Sequence, residues 1–169
     1  MQILSHIAIF AKMRITLLTV GRTDVPWVRE GLNLYTSRLG HYVPFAVSEI
    51  PELKNVSSLS REQIMQKEGE LILKSLKQSD DVILLDEHGK EYRSIEFASM
   101  LSDKFSRSGR DVVFVIGGAY GFSPDVYARA DGKLSLSRMT FSHQMVRTIF
   151  AEQLYRAFTI MKGEPYHHE

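Results

Sequence analysis

The residues best suited to chemistry crowd into the last third of the chain. His143 and Arg147 stand one helical turn apart at the head of an apolar run, a proton-transfer group beside a fixed cation. Tyr155 and Arg156 lie toward the opposite side of the same helix, and the chain ends Gly163-Glu164-Pro165-Tyr166-His167-His168-Glu169, with a stacking ring and two imidazoles. Each group has a plainer account. His143 and Arg147 could be solvated groups on a frayed helix start, and the tail could be ordinary terminal disorder. Adjacent histidines suggest a metal, but no further His, Cys or Asp cluster stands at ligand spacing, so no metal is expected. Asp86, Glu87 and His88 form either a catalytic group or a solvated turn. No Ser/His/Asp arrangement or paired-carboxylate motif is recognisable.

Two further segments could hold a ligand. Gly117-Gly118-Ala119-Tyr120-Gly121 is neither a dinucleotide fingerprint nor a phosphate loop. Its glycines allow close backbone approach, to a ligand or simply within a turn. Leu136-Ser137-Arg138-Met139-Thr140-Phe141 combines apolar side chains with backbone amides. Such a segment suits an adenine ring, unless Leu136, Met139 and Phe141 only fill core.

The elements that must position these residues alternate. A strand from Arg14 to Val20 precedes a helix over Val25 to Leu39, a strand over Phe45 to Ile50, and a polar loop from Pro51 to Ser60. Ser60 with Glu62-Gln63 caps a helix to about Lys77. The strand Asp81 to Asp86 ends in a Glu87-to-Lys90 turn, and a helix spans Ser94 to Ser106. The strand Asp111 to Ile116 is nearly all apolar, as when both faces are covered. After a short helix from Ser123-Pro124-Asp125 to Ala130 come the strand Lys133 to Ser137 and a final helix from His143 to Met161. Alternation of this kind predicts an α/β fold, a mostly parallel sheet with helices on both faces. Ligands of such sheets sit beyond the carboxyl ends of the strands, where both candidate segments fall.

Composition narrows the class. A chain of 169 residues is expected to form one domain over residues 13–169, with residues 1–12 a poorly ordered extension that lacks a secretory pattern. The absence of cysteine excludes disulfides and thiolate chemistry and fits a cytoplasmic location. No apolar run approaches the ~20 residues of a membrane span. With 21 basic and 20 acidic residues, the chain is not built to grip bare nucleic acid through phosphates alone.

The glycine turn, the segment Leu136 to Arg147, the run Glu152-Gln153-Leu154-Tyr155-Arg156-Ala157-Phe158 and Pro165-Tyr166-His167, in that order, resemble the ribosomal RNA large subunit methyltransferase H family. The resemblance runs from Met13 to Glu169. It implies a SPOUT-class enzyme that transfers a methyl group from S-adenosylmethionine to N3 of a pseudouridine in 23S ribosomal RNA. It further implies a homodimer, a C-terminal trefoil knot and action on assembled ribosomes. Carried onto this sequence, it places the cofactor against Leu85, Gly117 and Leu136, Ser137, Arg138, Met139, Thr140 and Phe141. It leaves His143 and His167 as candidate bases, and Arg147, Tyr155 and Arg156 as orienting or RNA-binding groups. Two rivals are a catalytically silent dimer that binds RNA or ribosomes and a flavodoxin-like module. The latter wants a phosphate loop after the first strand, where this chain has Gly21-Arg22-Thr23-Asp24.

Overall fold

The computed structural model describes residues 12–168, so the extension expected over residues 1–12 lies, but for Lys12, outside them. In chain order the elements are β1 (Ile15–Val20), α1 (Pro26–Leu39), β2 (Phe45–Ile50), α2 (Arg61–Ser75) and β3 (Asp81–Glu91). They continue with α3 (Ser94–Arg107), β4 (Val112–Ile116), α4 (Pro124–Arg129), β5 (Gly132–Ser135) and α5 (Met145–Met161). The strands pair in the order β2-β1-β4-β3-β5, and every pairing is parallel. All the carboxyl ends therefore share one edge.

β4 shows why the sheet is covered twice. Val112, Phe114 and Ile116 enter a core with Leu32 of α1, Leu101 of α3 and Phe150 and Leu154 of α5. Val113 and Val115 enter a second core with Ile72 of α2 and Val126 of α4. A strand buried on both faces has no polar alternation to show. Helix starts follow their side chains. Ser60 Oγ accepts from the Gln63 amide at 3.1 Å while Gln63 Oε1 accepts from the Ser60 amide at 2.8 Å, a reciprocal cap for α2.

Three boundaries differ from expectation. The Glu87-to-Lys90 segment is no free turn, because β3 runs on to Glu91 through a register break between Leu85 and Lys90. Gly89 permits this, since a Cβ there would stand 2.7 Å from the Leu134 amide nitrogen. β5 stops at Ser135, whose hydroxyl donates to the Ser137 carbonyl at 3.0 Å and turns the chain out of the sheet. α5 begins at Met145 rather than His143. Although β5 is at the sheet edge, α5 packs against α1 and α3. Residues 136–144 therefore carry the chain back past the ends of β3 and β4.

Candidate cofactor pocket and the two ends of the last helix

That returning loop closes a cavity of about 550 Å³ at the carboxyl edge. One wall is the end of β3, Leu85 to His88. The Asp86 side chain is only 7% exposed. It accepts from the Tyr127 hydroxyl at 2.5 Å and from the His88 amide at 2.9 Å. Burial opposes its ionisation, but those hydrogen bonds and the His88 ring outweigh burial and hold the carboxyl below its usual range. Burial and the bond to Asp86 push the Tyr127 phenol up to about 12. The segment that sequence left as either a catalytic group or a solvated turn is thus partly a fixed wall carrying an ionised Asp86.

The second wall is the turn Gly117 to Phe122. The Gly121 amide donates to the Gly118 carbonyl at 3.2 Å, and Gly121 takes φ +81°, which favours glycine. A Cβ on Gly118 would meet the Glu68 carboxylate, which would have to swing aside to admit it. Burial, then repulsion from Glu52, raises the Glu68 pKa. A Cβ on Gly117 would meet the Phe122 ring at 3.1 Å. The turn is constrained by its own protein neighbours, quite apart from any ligand.

The third wall is the loop itself. Leu136 packs on the core, but Met139 is 78% exposed and Phe141 36%, so these two do not serve as core filling. Side chains tie the loop to β3. Thr140 Oγ1 donates to Glu87 at 3.1 Å, Arg138 Nε to Glu91 at 2.9 Å, and Ser137 Oγ accepts from the Met139 amide at 3.0 Å. His143 is exposed and lines the cavity.

Arg147 does not join it. The side chain is completely buried, neither a site residue at the mouth nor a surface group. Its guanidinium donates to the carbonyls of Val20, Gly21 and His143 and to Thr23 Oγ1, at 2.8–3.0 Å, with Glu49 at 3.5 Å. Burial lowers its pKa, and Glu49, Asp24 and Glu52 oppose that shift. Next to it, Gln144 donates to the Arg22 carbonyl at 2.8 Å and accepts from the Asp24 amide at 3.2 Å. Thr23 also bonds through its amide to Glu49, and its carbonyl accepts from Arg29 at 2.8 Å. The start of α5 is thereby locked to the loop after β1. Sequence reading missed Thr23, Glu49 and Gln144, because nothing local in the sequence marks a polar group that a distant arginine will bury.

The remaining candidates gather at the other end of α5. Arg156 sits over the Tyr166 ring at 4.7 Å, pairs with Glu152 at 2.5 Å and approaches His167 Nδ1 at 3.3 Å. Tyr166 bonds Glu152 at 3.0 Å and meets Tyr155 edge-on at 4.8 Å. Burial, then hydrogen bonds with Tyr35 and Glu152, raises the Tyr166 pKa. His167 Nε2 is buried without a partner among the described residues. The tail is packed, not loose. Arg156 lies about 16 Å down the helix axis from Met145, so this cluster and the cavity are separate places in one chain.

Among the described residues no group of three or more His, Cys, Asp or Glu could hold a metal. Nor is any described helix long and apolar enough to cross a membrane.

Residues 13–167 match the family described as "Predicted SPOUT methyltransferase". Ribosomal RNA large subunit methyltransferase H of Parabacteroides distasonis is 53% identical over 93% of this chain and 100% of its own length. The proteins of that name from Phocaeicola vulgatus and Bacteroides thetaiotaomicron are 55% and 54% identical with the same coverage. Among solved structures, the SpoU methyltransferase AviRb of Streptomyces viridochromogenes, in complex with AdoMet, is 13% identical with a TM-score of 0.46. That likeness covers 95% of this chain and 62% of AviRb. With full-length relatives at this identity and the family match spanning all three cavity walls, the chain belongs to the ribosomal RNA large subunit methyltransferase H family of SPOUT methyltransferases.

Proposed function

We propose that this protein transfers a methyl group from S-adenosylmethionine to N3 of a pseudouridine in 23S ribosomal RNA. In this reading it works in the cytoplasm on assembled ribosomes, as a homodimer of one-domain subunits (residues 13–169) whose C-terminal segment forms a trefoil knot. The observation that carries the reading is the cavity beyond β3, β4 and β5. Its volume falls in the range of about 300–1,000 Å³ usual for small-molecule sites. Exposed Met139 and Phe141 with Leu85 and Leu136 suit an adenosine. The ionised Asp86 and neighbouring Glu87 suit a molecule bearing cationic groups. When bound, S-adenosylmethionine supplies an already activated methyl group, so the protein has mainly to align and desolvate.

The chain's own part is positional and protolytic. Leu85, Gly117 and Leu136 to Phe141 would hold the donor, with Ser137, Arg138 and Thr140 fixing the loop. The N3 proton of the target base must leave, and His143 at the cavity is placed to accept it. His167 belongs to the distant cluster, so it and Arg156, Tyr155 and Tyr166 would reach a cavity only from a second subunit. Exposed Trp27 and Leu34 on α1, seven residues apart on one face, and exposed Met145 on α5 support a self-association surface. Arg147 would serve by holding the start of α5.

The test is transfer of labelled methyl from S-adenosylmethionine to ribosomes lacking the modification, followed by mapping of the labelled nucleotide. Label on another nucleotide would refute the target. Binding of ribosomes without transfer would favour the silent dimer.

A further inference from the structure

We propose that Tyr120, backed by Arg61, is a stacking platform for a nucleobase flanking the target at the mouth of the cavity. The inference rests on the reading of this protein as an RNA methyltransferase and extends it to a subsite. Tyr120 lines the cavity yet is 44% exposed. The other aromatic groups of these walls are already engaged. Tyr127 bonds Asp86 and packs edge-on to Phe122, with ring centroids 5.8 Å apart, while Phe122 is core. Phe141 sits on the loop assigned to the methyl donor. Tyr120 instead has the Arg61 guanidinium over its ring, 5.4 Å from the centroid.

The backbone beneath the ring cannot easily withdraw. Its turn is closed by the bond from Gly121 to Gly118, and Gly118 lies flush on Glu68. The closed turn fixes the backbone that carries Tyr120, which lowers the ordering cost of a contact made there. Arg61 has no hydrogen-bonding or ion-pair partner among the described residues, so its donors remain open to a phosphate next to the stacked base. An aromatic face with a guanidinium beside it binds single-stranded nucleotides with little regard to base identity. Such a platform gives a protein of near-neutral charge a local grip on an unpaired base. General phosphate attraction cannot supply that here.

The experiment compares wild type, Tyr120→Ala, Tyr120→Phe and Arg61→Ala. For each it measures KM and kcat with ribosomes, calorimetric affinity for S-adenosylmethionine, and thermal midpoint. Tyr120→Ala should raise KM for ribosomes about fivefold or more, the usual loss for one stacked base. Tyr120→Phe should stay within about twofold of wild type, since the stacking face survives. Arg61→Ala should raise KM and flatten its salt dependence. Donor affinity and thermal midpoint should not change. An unchanged KM in folded Tyr120→Ala overturns the platform and leaves the methyltransferase reading standing. Weakened donor affinity in Tyr120→Ala would put the ring in the donor site and also overturn it. A wild-type protein inactive on ribosomes would overturn the parent reading, and the platform with it.

Discussion

α5 carries an arginine near each end, and the two differ in almost every physical respect. Arg147 is sealed from solvent, donates mainly to backbone carbonyls, and joins parts of the chain more than 120 residues apart. Arg156 is half-buried and bonds to side chains that are local, Glu152 one turn away and the ring and imidazole of the tail. A buried charge satisfied by fixed carbonyls is hard to move and costly to remove. A partly solvated cation held by mobile side chains can exchange partners at small cost. The first end of α5 is thus built as architecture and the second as equipment, although the sequence spaces both arginines alike along one helix.

Substitutions should separate the two roles. Arg147→Met keeps the bulk of the side chain but takes the guanidinium donors away from the Val20 and Gly21 carbonyls and leaves Glu49 with the Thr23 amide. It should lose about 3–5 kcal/mol in urea unfolding. A loss under about 1 kcal/mol would make the two ends alike. Arg156→Ala should cost about 1 kcal/mol or less in the same assay and still lower methyl transfer more than tenfold. Removing residues 165–169 should leave folding and donor affinity intact and abolish transfer to ribosomes; full activity would make the packed tail mere decoration. A sharper form mixes subunits. A His143→Ala chain and a chain lacking residues 165–169, each impaired alone, should regain activity together, because an intact cavity then meets an intact tail. No recovery would place cavity and tail function within one subunit.

The smallest expected effect concerns the cavity wall. Asp86 is held below the usual carboxylate range, so its ionisation adds stability above the pKa of an unfolded aspartate. That stability is lost as pH falls through its lower folded value. Tyr127→Phe removes one of the groups that hold it down. The acid-unfolding midpoint should move to slightly higher pH, and a phenol titrating at about 12 should disappear from the spectrum.

Regular elements were legible where the cause was local. The run Val112 to Ile116, the cap at Ser60 and the Ser123-Pro124 start each carry their reason within a few residues. Boundaries set by distant partners were not. Gly89 looks like a turn glycine until Leu134 is seen against it, and His143 looks helical until Gln144 is seen bonded to Arg22 and Asp24. The same holds at the site. Helical spacing put His143 and Arg147 on one face, but α5 starts only at Met145, and spacing says nothing about what each side chain meets. Here His143 meets open cavity and Arg147 the end of β1. The glycine turn and the Leu136-to-Phe141 loop were readable as neighbours because strand carboxyl ends share an edge in any parallel sheet.

The strand order has a consequence in time as well as space. β1 pairs on one side with β2, but its other neighbour is β4, with Ile15 opposite Val112. Until residues 112–116 leave the synthesising ribosome, the nascent sheet has a gap at its centre, with β3 tied to neither β1 nor β2. The central contacts are then among the longest-range in the chain, a topology associated with slow folding. A polypeptide halted before Ile116 would expose an unpaired apolar edge on β1, the kind of surface that recruits chaperones.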